Sequence, residues 1–239
     1  MTLSYLIGLI LFTQGFMVQP GRIEVEVAGG QIITKRIILT NISSDTIFIR
    51  AHVENFDQDS TGKIQFSPSN DTNVIINPTE FSIPPGDNYT VRVTLKTPYD
   101  FPDEKWGMLI FSQIPPPLER YAAIKFVREI GVPFYLVPIG ALAELDIDTS
   151  FIKNDSLYFR LVNGGLRHVR AKGSIKILSI ENQNEPLWQK DVDGIFILPQ
   201  KSIYISFPLD SVPKGKYIAR FRVDFGGSYA IEGVKSFSR

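Results

Sequence analysis

The chain has no cysteine, and only two histidines, His52 and His168, in 239 residues. Without thiols, disulfides, thiolate metal sites and cysteine nucleophiles are excluded together. Two histidines leave little room for common hydrolytic sites, because a catalytic zinc usually takes two or three imidazoles and a Ser-His-Asp triad needs one well placed. A surplus of charge is also missing, since 25 Lys and Arg balance 25 Asp and Glu. Proteins that grip phosphate backbones usually carry a basic surplus, so nucleic acid is not an expected partner. No phosphate loop is present: Gly29-Gly30, Gly164-Gly165 and Gly226-Gly227 are isolated pairs between strands, so no cofactor is expected. After residue 12 no stretch approaches the roughly 18 apolar residues of a spanning helix.

What is present begins with Leu3 to Phe12, an almost unbroken apolar run followed by Thr13-Gln14-Gly15. At about 10 residues it is too short to span a bilayer. It reads as the apolar core and small-x-small cleavage site of an export leader over residues 1–15, although Met1-Thr2 supplies no Lys or Arg. Export to an extracytoplasmic compartment is the expectation.

Beyond the leader the pattern is alternation, the signature of half-buried strands. Ile23, Val25 and Val27 alternate with glutamates; Ile33 to Thr40, Thr46 to Val53, Val74 to Ile76, Tyr89 to Leu95, Gly107 to Ile114 and Ala123 to Val137 follow. Turn chemistry separates them, as in Asn41 to Asp45 and Pro84-Pro85-Gly86-Asp87. A second series runs from Leu145 to Phe237 and echoes the first. The strand ending in Asn41 is matched by one ending in Asn163, and SIPPGDNYTVRVTL by FILPQKSIYISFPL. The reading is all-β: two tandem immunoglobulin-like β-sandwich domains over residues 16–140 and 141–239, divided near Pro138-Ile139-Gly140.

Candidate chemistry is sparse. Asp57, Asp59, Asp71, Asp146 and Asp148 lack the spacing of a calcium loop and read as loop or strand-face charge. His52 belongs on a strand surface, and His168, between Arg167 and Arg170 near a turn, is a weak binding candidate. Asn41, Asn70, Asn88 and Asn154 each open an Asn-x-Ser/Thr triplet, at turns where those residues belong anyway. No catalytic residue and no metal site is assigned.

The most informative stretch is Ile124 to Leu136. Its even positions are Ile124, Phe126, Arg128, Ile130, Val132, Phe134 and Leu136, an almost wholly apolar face roughly 40 Å long at 3.3 Å per residue. Gly131 and Pro133 on the other face fit an edge strand, because proline removes a ladder donor. An apolar edge strand either fills its own domain's core or pairs with a partner's strand and completes that partner's core.

In this order, PGRIEVEVAGG, IILTNISSDTIFIRAHVENF, INPTEFSIPPGDNYTVRVTL, EKWGMLIFSQIPPP and IGVPFYLVP resemble the first domain of the PapD-like periplasmic chaperones of pilus assembly. The resemblance covers roughly residues 16–140; the second half is similar only in being another sandwich. It implies a chaperone that caps a fibre or pilus subunit by donating a strand, with Ile124, Phe126, Ile130, Val132, Phe134 and Leu136 as donor side chains, and with an outer-membrane assembly protein as a further partner. In that family an Arg on the first strand and a Lys on the last strand of domain one bind the subunit's C-terminal carboxylate. Arg22 matches the Arg. The Lys position falls on Val132, and Arg128, of the same parity four residues earlier, is the candidate substitute. The alternatives are a secreted structural or adhesive protein of the same fold and, more distantly, a carboxylate-pair glycosidase.

Overall fold

Among the described residues most segments of alternating apolar and polar residues form strands, and there is no helix; of the expected strand Ala123 to Val137 the part from Glu129 onward is a strand. The computed structural model describes residues 15–115, 127–226 and 229–239. Residues 1–14 of the expected leader, and Ile124 and Phe126, lie outside the described residues.

In the first half, β1 (Phe16–Gln19), β3 (Ile32–Asn41), β8 (Asn88–Lys96) and β6 (Val74–Asn77) make one sheet in that order. The facing sheet runs β2 (Ile23–Val27), β10 (Glu129–Pro138), β9 (Lys105–Ile114), β4 (Ile47–Gln58) and β5 (Ile64–Pro68), with β7 (Glu80–Ile83) also paired to β4. Ile37, Leu39, Val91, Val93 and Leu95 from one sheet meet Ile49, Leu109, Phe111, Val132 and Phe134 from the other in a closed core. The second half repeats the plan. β11 (Leu145–Lys153), β12 (Ser156–Asn163) and β15 (Ser202–Pro208) face β14 (Trp188–Ile197), β13 (Val169–Ser179), β16 (Lys216–Asp224) and β17 (Ile231–Ser238), around Phe159, Phe207 and Phe221. The architecture is two tandem immunoglobulin-like sandwiches, as the alternation predicts. The strands missing from the sequence reading, β1, β5 and β7, have four or five residues each, too few to show a period.

The chain twice crosses from one sheet to the other at an X-Pro peptide, Gln19-Pro20 between β1 and β2 and Asn77-Pro78 between β6 and β7, both cis. Such a crossing has no ladder donor to lose, which suits proline. Because the first strand is split, β1 covers only Ile38–Asn41 of β3, and β2 covers only Phe134–Pro138 of β10.

The matched asparagines do one job in both sandwiches. Asn41, fully buried, donates from Nδ2 to the carbonyls of Asp45 (2.8 Å) and Ile83 (2.9 Å), while its Oδ1 accepts from the Ser43 N–H (2.8 Å). Asn163, also fully buried, donates to Arg167 (2.9 Å) and Ile197 (3.1 Å) carbonyls and accepts from the Gly165 N–H (3.0 Å). Their main-chain N–H groups donate to Asp87 (3.0 Å) and Lys201 (2.9 Å), each just after a residue of positive φ, Gly86 at 74° and Gln200 at 58°.

A third, smaller cluster joins the domains: Phe56, Tyr135 and Val137 from the first pack on Leu198 from the second. Around it, the Gln58 amide donates to the Phe196 carbonyl (2.8 Å) and accepts from the Leu198 N–H (3.2 Å). Glu104 and His168 meet in a fully enclosed contact. The carboxylate accepts from the His168 main-chain N–H at 2.7 Å and lies 2.7 Å from Nδ1, with both side chains at most 2% exposed. Arg167 reaches Glu24 (3.4 Å) and Glu26 (3.2 Å), and Lys201 reaches Asp57 (2.7 Å).

Candidate functional site

β10 has two halves with different surroundings. From Phe134 onward it is a central strand, with β9 on one side and β2, parallel, on the other. Here both faces are buried: Phe134 and Leu136 point into the first core, Tyr135 and Val137 into the interdomain cluster. Burial pushes the Tyr135 hydroxyl above its usual range, against the pull of the Arg170 guanidinium beside it. From Glu129 to Pro133 only β9 is paired among the described residues, and the other side of the strand is an open edge.

The direction of the backbone groups follows from one bond. Gln113 N–H donates to the Arg128 carbonyl at 2.9 Å, so even-numbered residues turn their polar groups toward β9. The odd ones face outward. The open edge therefore presents N–H and C=O of Glu129 and Gly131; at Pro133, where β2 takes over, the missing N–H costs no bond to β9. Gly131 lies against the Met108 side chain, where a Cβ would stand 2.9 Å from the sulfur.

Side chains on the even face divide at Ile130. Val132, Phe134 and Leu136 are 1–3% exposed and belong to the first domain's own core. That correction removes them from the set of side chains free to enter a partner, because withdrawing each would cost about 1.5–3 kcal/mol of burial. Ile130 is partly buried at the core's rim. Before it on the same parity, Arg128 is exposed.

The two arginines are not brought together. Arg22, just before β2, is exposed, with Nε 3.6 Å from Glu24. Continuing the β2–β10 register by one residue sets it beside Pro133, about 16 Å of strand from Arg128. Arg128 lies against Gly15 at the start of β1, where a Cβ would overlap its side chain. The two form separate basic points along one edge.

Other sequence candidates resolve locally. His52 is exposed, 3.3 Å from Glu54. Asp59 is held below the usual carboxylate range by hydrogen bonds from the Thr61 hydroxyl and main chain, and Asp148 pairs with Arg160 at 2.6 Å. Among the described residues no three His, Asp or Glu side chains are grouped to hold a metal ion. Asn41 is enclosed, so its triplet offers no free amide, whereas Asn70, Asn88 and Asn154 are exposed. Sequence reasoning missed Glu104, Gln58 and the role of His168, because their partners lie 64 or more positions away.

The sequence matches no protein-family model and no curated protein. The structure is similar to the class 5 fimbriae chaperone CfaA, at a TM-score of 0.57 and 15% identity, over 92% of this chain and 99% of that one. It is similar to the YadV chaperone at 0.55 and 14%, over 93% and 99% of the two chains. A chain from the complex of Salmonella enterica SafA pilin with the SafB chaperone matches at 0.52 and 14%, over 93% and 97%. At such identities the fold is what is shared, and it is that of the PapD-like fimbrial chaperones over nearly the whole length.

Proposed function

We propose that this chain, which carries the fold of fimbrial chaperones, is itself an exported, periplasmic chaperone that binds and caps subunits of a surface fibre or pilus by adding a strand to them. The observation that carries this reading is the open edge of β10 at Glu129–Pro133, with outward backbone groups in place and no strand paired to them among the described residues. A subunit lacking one strand exposes unpaired backbone groups and an apolar floor, both costly in water. The edge closes the ladder, and apolar side chains of even parity enter the floor. The donors are Ile124, Phe126 and the rim residue Ile130. Arg22 and Arg128 are carboxylate contacts at two points of the same edge, with the planar forks that suit a carboxylate. No bond is made or broken, and no cofactor, metal or nucleic acid takes part. An outer-membrane assembly protein is the expected receiver of the loaded chaperone.

The test is co-expression in a periplasm with the small β-rich proteins encoded beside it, read by native mass spectrometry. A one-to-one complex that is lost with Phe126→Asp and with the Arg22→Ala/Arg128→Ala pair is the expected result. A stable monomer or a self-polymer in the presence of every neighbour overturns the proposal, and a self-polymer favours a structural secreted protein.

A further inference from the structure

The chain is neutral overall, but its charges are sorted between sheets. The four strands β1, β3, β8 and β6 contain Lys35, Arg36, Arg92 and Lys96 and no Asp or Glu. Their facing sheet carries the acids, including Glu24, Glu54, Glu80 and Glu129. Within the basic sheet Arg36 and Arg92 stand directly opposite each other across the β3–β8 pair, both exposed. Like charges opposite each other disfavour the pair. Neither guanidinium has a carboxylate or hydrogen-bond partner among the described residues. Protection of the β3 edge does not explain them. Lys35 already places a charge on that uncovered edge, and Arg92 sits on β8, which has strands on both sides.

The surroundings of the two arginines point to a kind of partner. Met17, Ile38 and Ile75 on the same outer face are 47%, 41% and 43% exposed. Arginine and methionine with aliphatic neighbours and no acid is the composition of protein interface centres, whereas anionic membrane surfaces attract clusters of about four to eight Lys and Arg, and the strands place three on this outer face, Arg36, Arg92 and Lys96. The strands have four, ten, nine and four residues, which at about 3.3 Å per residue and a spacing of about 4.8 Å give a face of roughly 400 Å², at the low end for a transient protein contact.

We propose that the outer face of the β1-β3-β8-β6 sheet is a docking surface for a protein that presents carboxylates, with Arg36 and Arg92 as its paired anchors. The surface is separate from the β10 edge, and the proposal stands whether or not a subunit is capped there. Two adjacent forks hold one or two carboxylates bidentately, and the strand-pair repulsion is relieved when they do.

The experiment is an NMR titration of the full chain with a ten-residue polyglutamate peptide. Shifts confined to the Arg36 and Arg92 Nε–H signals and to β3 and β8 amides are expected, weakening about tenfold or more in an Arg36→Gln/Arg92→Gln variant. That variant is also expected to melt at the same temperature as the parent or higher, because repulsion has been removed. The proposal is overturned by shifts elsewhere or none, by undiminished binding in the variant, by a lower melting temperature, by self-association through this face, or by stronger binding to phosphatidylglycerol vesicles or inorganic phosphate than to the peptide.

Discussion

Asn41 and Asn163 show how one side chain closes a turn that the backbone alone leaves open. Each supplies two donors and an acceptor to main-chain groups that no strand partner reaches. Replacing either by Ala strands buried carbonyls, so Asn41→Ala and Asn163→Ala should each lower stability by about 2–4 kcal/mol in urea denaturation. Ser43→Ala, at a more exposed member of the network, should cost far less. The repeat that aligned these two asparagines was legible in the sequence; their burial was not, because a triplet at a turn looks the same whether the amide points in or out. Asp57 carries a pH prediction. Burial pushes its carboxyl upward, but hydrogen bonds from Lys201 and the Gln58 N–H outweigh this and hold it below its usual value. A depressed folded value means that the contribution is present above about pH 4, the unfolded carboxyl value, and is lost as pH falls through the folded one. Between pH 5 and 2 the parent should lose slightly more stability than Asp57→Asn, and only slightly, because the pair is exposed and screened.

β10 is one strand with two fates, and its neighbours decide which. Alternation from Ile124 to Leu136 is uniform, so periodicity alone offered both readings, donor and core. The structure divides the side chains at Ile130, where the closed core ends, and the backbone edge at Phe134, where β2 begins. Two variants separate the halves. Glu129→Pro removes an outward N–H, and with it the exposed carboxylate that accepts from the Ser112 hydroxyl (2.6 Å), while leaving the main-chain bonds to β9; it should weaken subunit capture in the native mass spectrometry assay without lowering the melting temperature by more than a few degrees. Val132→Lys places a cation where the resemblance sets the chaperone family's Lys, but here its side chain enters the core, and the domain should lose about 3 kcal/mol or more. A Val132→Lys protein as stable as the parent would show that the core opens at this position.

The junction of the two sandwiches is packed as well as charged. Phe56, Tyr135, Val137 and Leu198 contribute on the order of 5 kcal/mol by burial, before any hydrogen bond is counted. Within that apolar setting the Glu104 carboxylate has one hydrogen-bond partner residue among the described residues, His168. Removing the imidazole leaves the carboxylate with only the main-chain N–H of residue 168, so His168→Ala should destabilise the chain by about 2–3 kcal/mol, while adding Glu104→Leu should recover part of that loss and no more, because the main-chain N–H then loses its acceptor. Small-angle scattering of the single variant should show a broader distribution of domain angles; an unchanged profile with unchanged stability would mean that the apolar cluster suffices. The all-β class, two sandwiches, the turn positions and the lack of reactive side chains were written in composition and in a period of two, which are local properties that each segment carries unaided. Which half of β10 is buried, that His168 is a fastener between domains, and that a neutral chain displays an acid-free basic face were decided only by folding, because each depends on which strands become neighbours across tens of residues of intervening chain.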